Sequence, residues 1–228
     1  MKVCTDACVF GAWFARKDLK AKEILDIGSG TGLLMLMLAQ KTNSCFQGIE
    51  IDPLCFQQLK ENIANSAWAD RIKIVEGDAR ELSAGKKFDF IISNPPFHEK
   101  NLESESIEVN TARHSKQLSL EELLTAIENN LSKNGSFGIL LPYYRVSHFE
   151  KMAQEKKFHL IERVLVKQST HHKFFRGILH FSGKALQNVS EKILTIQESD
   201  GQYTKEFVEL LKDYYLYLDK TISSGLST

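Results

Sequence analysis

The sequence lacks the features that mark several broad classes of protein. Its 228 residues include only four cysteines and four prolines. The longest apolar stretch, residues 33–39, is far too short to cross a bilayer as a helix. The first residues, Met1 to Asp6, have neither the apolar segment nor the cleavage site of a signal peptide. These absences predict a globular protein of the cytoplasm.

The cysteines do not form a pattern typical of disulfide scaffolds or zinc sites. Cys4 and Cys8 are close in sequence, but Cys45 and Cys55 do not make a matching second pair. We therefore expect four reduced thiols and no bound metal. The pair at residues 171–172, two histidines, also has no acidic residue nearby that could complete a metal site.

There is no excess of charge of either sign. The 29 basic residues balance 29 acidic ones, and this total argues weakly against a protein that binds nucleic acid. The distribution is uneven, however: residues 163–184 contain five Lys or Arg, three His and no acidic residue. Residues 99–108 hold four Glu and one Lys. One face of the protein can therefore be basic although the net charge is zero.

Strands and helices are predicted to alternate from residue 23 onward. Strands are predicted at residues 23–27, 45–51, 71–76, 88–93 and 135–141, and helices at residues 32–40, 53–66, 119–131 and 146–156. Two further strands, residues 158–168 and 174–182, are joined by a short polar turn, which predicts an antiparallel hairpin. An edge strand at 191–197 and a final helix at 204–218 complete the pattern.

This alternation predicts an α/β fold with a doubly wound, mostly parallel, seven-stranded sheet and an antiparallel C-terminal hairpin. We expect one domain over residues 1–228, with a cofactor half at about 1–97 and a substrate-binding half at about 98–228. We expect it to act as a monomer. Ligands in such sheets bind at the carboxyl ends of the strands, so the loops after the strands are where functional residues should lie.

The first of these loops is rich in glycine. Residues 26–32 read Asp-Ile-Gly-Ser-Gly-Thr-Gly, and the glycines allow a tight turn and close approach to a ligand. The segment is not a dinucleotide fingerprint, because Leu33 stands where a glycine is required. It is not a phosphate-binding P-loop either, because no Lys or hydroxyl residue follows Gly32. The leading Asp26 suits a cationic ligand group better than a pyrophosphate.

Acidic residues end the next two strands. Glu50 comes twenty residues after Gly30 and can accept hydrogen bonds from a ribose diol. Asp78 lies in the sequence Gly-Asp-Ala and can accept a hydrogen bond from an adenine amino group. Together with the glycine loop, these acids predict a pocket for an adenosyl group that carries a positively charged tail.

The segment Ser-Asn-Pro-Pro-Phe at residues 93–97 follows the fourth predicted strand. Its two prolines remove two amide donors and stiffen the backbone, so that carbonyl groups can face a substrate. The side-chain oxygen of Asn94 and the carbonyl of Pro95 can each accept a hydrogen bond from one NH₂ group. Phe97 can stack on a planar substrate, which for a nucleic-acid base means a flipped or unpaired one. The segment therefore predicts chemistry at an amino nitrogen.

These motifs resemble those of class I S-adenosylmethionine-dependent methyltransferases, over about residues 5–182. The resemblance implies S-adenosylmethionine as cofactor, with its methionine part near Asp26, its ribose at Glu50 and its adenine at Asp78. The Asn-Pro-Pro-Phe segment resembles the motif of amino-group methyltransferases that act on adenine, guanine or glutamine amide nitrogens. The implied catalytic residues are Asn94, Pro95, Pro96 and Phe97. The implied cofactor-binding residues are Thr5, Asp26, Gly28, Ser29, Gly30, Gly32, Glu50, Ile51, Asp78, Ala79 and Asn94.

Segments outside these motifs are similar to bacterial tRNA (adenine-N6) methyltransferases that modify position 37 of the valine tRNA. They comprise residues 1–6 with 11–13, residues 111–114 with 118–123, and residues 199–204 with 211–216. Members of that family usually carry a few more residues ahead of the first segment. The resemblance implies a tRNA partner and a single-stranded anticodon loop, whose bases proteins read by stacking and edge contacts. Candidate RNA-binding residues are Arg113, Lys167, His171, Lys173 and Arg176.

Other functions fit part of this pattern. Ribosomal RNA guanine-N2 methyltransferases also have Phe-His after Asn-Pro-Pro, but they usually have a duplicated, longer chain. Glutamine methyltransferases that act on release factors share Asn-Pro-Pro-Tyr, but they normally carry an additional N-terminal helical domain. A non-catalytic RNA-binding module could keep the fold, although the intact motifs at 26–32 and 94–97 argue against it. The basic hairpin could also be an ordinary solvated surface.

Overall fold

The computed structural model describes residues 4–82, 85–96, 118–185 and 188–218. Its strands are β1 (Glu23–Ile27), β2 (Cys45–Glu50), β3 (Ile72–Glu76), β4 (Phe88–Ser93), β5 (Leu131–Pro142), β6 (His159–Ser169), β7 (Phe174–Ser182) and β8 (Ser190–Gln197). Its α-helices are α1 (Thr5–Ala15), α2 (Leu33–Ala39), α3 (Pro53–Ala64), α4 (Leu120–Asn130), α5 (Tyr143–Glu155) and α6 (Lys205–Leu211). Short 3₁₀ helices cover Ala69–Arg71 and Ala79–Glu81.

The strands in these residues form one sheet in the order β3-β2-β1-β4-β5-β7-β6-β8. Strands β1 to β5 pair in parallel, and β7 is antiparallel to both β5 and β6. The predicted fold class is therefore confirmed. The sheet has one strand more than the seven expected, because the predicted edge strand is present as β8 and pairs in parallel with β6.

Helices cover both faces of the sheet. One core contains buried side chains of α1, α2, α3 and α6, among them Trp13 and Phe207. The second core, on the opposite face, contains side chains of α4 and α5, such as Leu123 and Phe149. A capping box begins α4: the Ser119 hydroxyl accepts from the Glu122 amide, and the Glu122 carboxylate accepts from the Ser119 amide.

The first helix was not predicted from the sequence. Every residue of α1 from Ala7 to Ala15 is buried, so the helix has no polar face along most of its length. A helix that is apolar all round lacks the 3.6-residue periodicity by which amphipathic helices are recognised. The last helix is shorter than predicted, ending at Leu211. The chain then turns, and the Tyr214 hydroxyl donates to the Met37 carbonyl of α2.

The pairing brings the hairpin turn to the same edge of the sheet as the loops after β1 to β4. Pro142, the last residue of β5, pairs with Arg176 near the start of β7. The turn between β6 and β7 therefore lies at the carboxyl edge of the parallel strands.

No helix in the described part of the chain is long and apolar enough to cross a membrane. Nor do the described residues include three or more His, Cys, Asp or Glu side chains placed to hold a metal ion.

Candidate active site

The glycine loop after β1 requires glycine for conformational reasons. Gly28 has φ +72°, and a Cβ added there would meet no atom within 4 Å, so the position faces open space. Gly32 has φ +87°, and a Cβ there would come within 2.7 Å of the Leu59 side chain. Residues with a Cβ rarely adopt such φ values. The loop therefore turns sharply and leaves room above Gly28, as a ligand-binding loop must.

Glu50 fixes this loop to the end of β2. Its carboxylate accepts one hydrogen bond from the Gly30 amide (2.7 Å) and one from the Asp52 amide (2.8 Å). The amides of Gly28 and Ser29 donate to the Ile49 carbonyl, at 3.0 Å each. Each carboxylate oxygen of Glu50 has further acceptor capacity, so it can also accept from a ribose diol. A role for Glu50 in ribose binding stays a prediction.

Asp26 is completely buried, and neither of its carboxylate oxygens has a hydrogen-bond partner within the described residues. Burial, followed by the charge of Glu50, raises the pKa of its carboxyl to about 8. A buried polar group without a partner is costly, so such a group in a native fold indicates a missing ligand. A cationic amine would supply both the hydrogen bonds and the opposite charge.

The remaining cofactor candidates differ in their surroundings. Ile51 is 38% exposed directly after Glu50, where an apolar wall for a flat ring can form. Ala79 is partly buried in the second core. Ser29 is buried, and its hydroxyl donates to the Asp26 carbonyl. Thr5 is exposed at the start of α1, beside Tyr215.

Asp78 has partners of its own. Its carboxylate accepts from the amide and the guanidinium of Arg80, whose guanidinium also donates to Glu122 at 3.2 Å. The hydrogen bonds from Arg80 are the main reason that the pKa of Asp78 is lowered. Asp78 thus caps the short helix Ala79–Glu81, and an adenine amino group would have to share this carboxylate with Arg80. A role for Asp78 in adenine binding stays a prediction.

Asn94 lies where β4 ends, next to the end of β1. Ile27 pairs with Ser93, and the Ser93 hydroxyl donates to the Ile27 carbonyl at 2.8 Å. The Asn94 Oδ1 atom is buried and has no partner in the described residues. Pro95 is buried and Pro96 is exposed. An amide oxygen that can accept a hydrogen bond thus lies where β4 ends beside β1. Phe97 and Arg113, also predicted to act here, lie outside the described residues.

The hairpin candidates lie at the same edge but differ in their partners. His171 and Lys173 are exposed, and Lys167 is partly exposed. Arg176 donates from Nε to the Asp6 carboxylate at 2.7 Å, an ion pair that joins β7 to α1 and is largely buried. The structure therefore gives Arg176 an intramolecular role, while its contact with RNA stays a prediction.

Sequence reasoning missed an aromatic pair at this edge. Tyr143 and Tyr144 open α5 and are 43% and 65% exposed. The predicted start of this helix was three residues later, at Val146, so both tyrosines fell in a loop. Exposed aromatic residues directly after Pro142, the end of β5, are the signal that could have revealed them.

A broad cavity of about 920 Å³ lies elsewhere, between residues 15–23 and 41–45. These segments precede β1 and β2, so the cavity is at the opposite edge of the sheet from Asp26 and Asn94. Lys41, one of the lysines that line this cavity, forms an ion pair with Asp213, with 2.6 Å between its Nζ atom and the carboxylate. The chemistry of the buried groups, and not cavity size, identifies the site.

The residues at the carboxyl edge fit an adenosyl sulfonium amino acid. Asp26 offers two unpaired oxygens among the described residues to a cationic amine, Glu50 can accept from a diol, and Gly28 faces open space. A doubly wound sheet with this site defines a class I methyltransferase, for which S-adenosylmethionine is the methyl donor. The chain belongs to the methyltransferase small domain family, whose model matches residues 12–162.

Curated relatives extend the likeness over nearly the whole chain. A tRNA1(Val) (adenine(37)-N6)-methyltransferase of Dyadobacter fermentans is 41% identical over 95% of this chain and 91% of its own length. One of Haemophilus influenzae is 38% identical over 95% and 92%. A crystal structure described as a predicted O-methyltransferase of Agrobacterium tumefaciens superposes with a TM-score of 0.71 over 91% of this chain and 95% of that one. At 15% identity, the latter shows the fold alone.

Proposed function

We propose that the protein transfers a methyl group from S-adenosylmethionine to the N6 amino group of an adenine in tRNA, at position 37 of the anticodon loop of tRNA1(Val). The names of the curated relatives, which match at 36–41% identity over most of the chain, support this substrate. Within the chain, the proposal depends on one observation. The buried Oδ1 atom of Asn94 has no hydrogen-bond partner among the described residues and lies at the end of β4, next to the glycine loop.

Asn94 and Pro95 suit an exocyclic amine because both are acceptors. In the proposed complex the Asn94 Oδ1 atom and the Pro95 carbonyl each accept one N–H of the adenine amino group. Holding both hydrogens weakens conjugation with the ring and directs the nitrogen lone pair toward the methyl donor. S-adenosylmethionine supplies a methyl group on a sulfonium, whose S–C bond breaks as the N–C bond forms. Positioning provides much of the rate in such a displacement, and the nitrogen loses its proton to water afterwards.

The cofactor and the RNA are proposed to occupy different parts of one edge. The loops after β1, β2 and β3 bind the cofactor, and the ends of β4, β5 and β6 together with the start of β7 face the RNA. We therefore keep the division into a cofactor half, about residues 1–97, and a substrate-binding half, about 98–228, within one domain. We further propose that the protein acts as a monomer in the cytoplasm.

The proposal is tested by methyl transfer from labelled S-adenosylmethionine to total tRNA, total rRNA and a release factor in parallel. The product is digested and the labelled nucleoside or amino acid is identified. N6-methyladenosine in tRNA alone, mapped to the anticodon loop of tRNA1(Val), is the expected result. An Asn94→Ala variant serves as the matched control for contaminating methyltransferases.

Other results would replace the substrate. Label as N2-methylguanosine in rRNA, or as methylglutamine in the release factor, would overturn the tRNA proposal. A protein that binds the cofactor and tRNA but transfers no label would be an RNA-binding module.

A further inference from the structure

The first turn of α5 presents an aromatic ring to solvent. Tyr144 is 65% exposed, and the guanidinium of Arg145 lies 5.7 Å from the centre of its ring. Tyr143 packs against Phe174 of β7, with ring centres 5.4 Å apart, so the start of α5 is fixed to the start of β7. The ring of Tyr144 is thereby held on a rigid helix and not on a mobile loop.

Among the described residues, basic side chains lie beside this ring. The first turn of α5 has no acidic residue. The neighbouring hairpin, residues 163–184, contains none either, and its turn exposes Lys173 beside His171 and His172. Positive charge beside an exposed aromatic ring is the combination that binds the backbone and the bases of single-stranded nucleic acid.

The ring also lies close to the proposed site of methyl transfer. Ser93 of β4 pairs with Ile139 of β5, so Pro96 is level with Pro142 if both chains continue in the same direction. Neighbouring strands are about 4.8 Å apart. Tyr143 and Tyr144 follow Pro142 immediately, and their backbone is therefore one strand away from the Asn-Pro-Pro segment, on the side away from the cofactor loop.

We propose that Tyr144, with Arg145 beside it, is a stacking platform for an unpaired base next to the target adenine. The inference rests on the proposed function and specifies how the RNA is held. The ring of Tyr144 would stack on a base of the anticodon loop, and Arg145 and Lys173 would contact phosphates. Double-stranded RNA could not use the platform, because its bases are already stacked on one another. The enzyme would thus select a loop over a stem.

The test measures the dissociation constant of the full-length protein for an anticodon stem-loop RNA of tRNA1(Val), together with kcat and KM on intact tRNA. Loss of one stacking contact weakens RNA binding about tenfold. Tyr144→Ala is therefore expected to raise the dissociation constant and KM by about this factor, with kcat and S-adenosylmethionine affinity unchanged. Tyr144→Phe keeps the ring and is expected to bind like the wild type. Tyr217→Ala is the matched control, because Tyr217 is 69% exposed and precedes Leu218, which packs in the core on the other face of the sheet.

An abasic nucleotide on either side of the target adenine identifies the stacked base. If Tyr144 stacks on that base, removing the base and removing the ring delete the same contact. The losses of RNA affinity caused by the abasic nucleotide and by Tyr144→Ala are then not additive. Additive losses at both flanking positions would overturn the platform, as would equal defects in Tyr144→Ala and Tyr144→Phe. Unchanged RNA affinity in Tyr144→Ala, with a shift from dimer to monomer in sedimentation, would make this face a contact between copies.

The binding measurement separates this inference from the proposed function. A wild-type protein that binds the stem-loop but does not methylate it refutes the proposed substrate, while the comparison of variants still decides whether Tyr144 stacks. A wild-type protein that methylates tRNA normally, with Tyr144→Ala equal to it in affinity and KM, refutes the platform alone. A protein with no affinity for RNA refutes both.

Discussion

Asp26 is buried beside Glu50, and burial together with the charge of Glu50 raises the pKa of the Asp26 carboxyl to about 8. We therefore expect Asp26 to be mostly protonated in the free protein at pH 7. A cationic amine in contact with it favours the ionised form and lowers that pKa. On this basis we predict that cofactor binding is coupled to the loss of a proton.

We expect about one proton to be released when S-adenosylmethionine binds near pH 7, because Asp26 changes from mostly protonated to ionised. Calorimetric titrations in buffers of different ionisation enthalpy measure this number directly. Asp26→Asn keeps the shape of the side chain but cannot ionise, so the release attributable to it should vanish and affinity should fall. Equal heats in all buffers for the wild type would show that Asp26 does not meet the amine.

Asn94→Ala should separate cofactor binding from chemistry. The resemblance counts Asn94 among the cofactor-binding residues as well as the catalytic ones, but its side chain lies at the end of β4, outside the contacts that Glu50 makes with the glycine loop. We expect S-adenosylmethionine affinity within about twofold of the wild type, and a loss of roughly 100-fold in kcat because the amine is no longer positioned. Equilibrium binding measures the affinity for S-adenosylmethionine, and single-turnover kinetics measures the rate of methyl transfer. Turnover near the wild-type rate would contradict the role given to Asn94.

Two cations of the hairpin should respond differently to charge reversal. Lys173 is exposed, so Lys173→Glu should weaken tRNA binding severalfold at moderate salt and leave the melting temperature unchanged. Arg176 is paired with Asp6 in a largely buried contact, so Arg176→Glu should also destabilise the fold, by about 2 kcal/mol. Filter binding and thermal melting distinguish them. Unaltered RNA affinity in Lys173→Glu would make the hairpin a solvated surface.

His180 should make the fold sensitive to acid. Its ring packs against Phe14 and Phe90, and burial is the main reason that its pKa is lowered to about 4. Between pH 6.5, the ordinary value, and pH 4 the unfolded chain binds the proton and the folded one does not, so stability falls as the pH falls. The loss from this group should reach about 3 kcal/mol.

Denaturant unfolding at several pH values measures this loss. His180→Phe keeps an aromatic ring and should flatten the acid limb of the stability profile. His148→Phe changes an exposed histidine of α5 and should not. An unchanged acid limb in His180→Phe would assign the acid sensitivity to carboxylates.

That the cofactor candidates share one edge of the sheet could be predicted from the sequence, because they lie at the ends of strands in a fixed order. Gly28 and Asn94 come directly after β1 and β4, Glu50 is the last residue of β2, and parallel pairing brings these ends together. The pairing of Asp78 with Arg80 could not be predicted, because it depends on a turn and on Glu122 from a distant helix. Periodicity also missed α1, where almost every side chain is buried.

The substrate side was harder to predict, because exposure and partners decide the role of a basic or aromatic residue. Arg176 and Lys173 are equivalent in the sequence, yet one has a carboxylate partner and the other faces solvent. Tyr144 is exposed although it comes only two residues after the buried end of β5. Such differences in exposure and in hydrogen-bond partners arise from tertiary packing, and the local sequence pattern does not indicate them.

The burial of α1 has a consequence for how the chain folds during synthesis. Trp13 donates to Glu162 across 149 residues, and Asp6 accepts from Arg176 across 170. These two contacts of α1 therefore cannot form until β6 and β7 have been synthesised. Until then α1 lacks part of its native packing, and contacts of such long range form slowly. A truncation within β6 or β7 should leave an aggregating chain, whose binding sites for chaperones would include α1 itself.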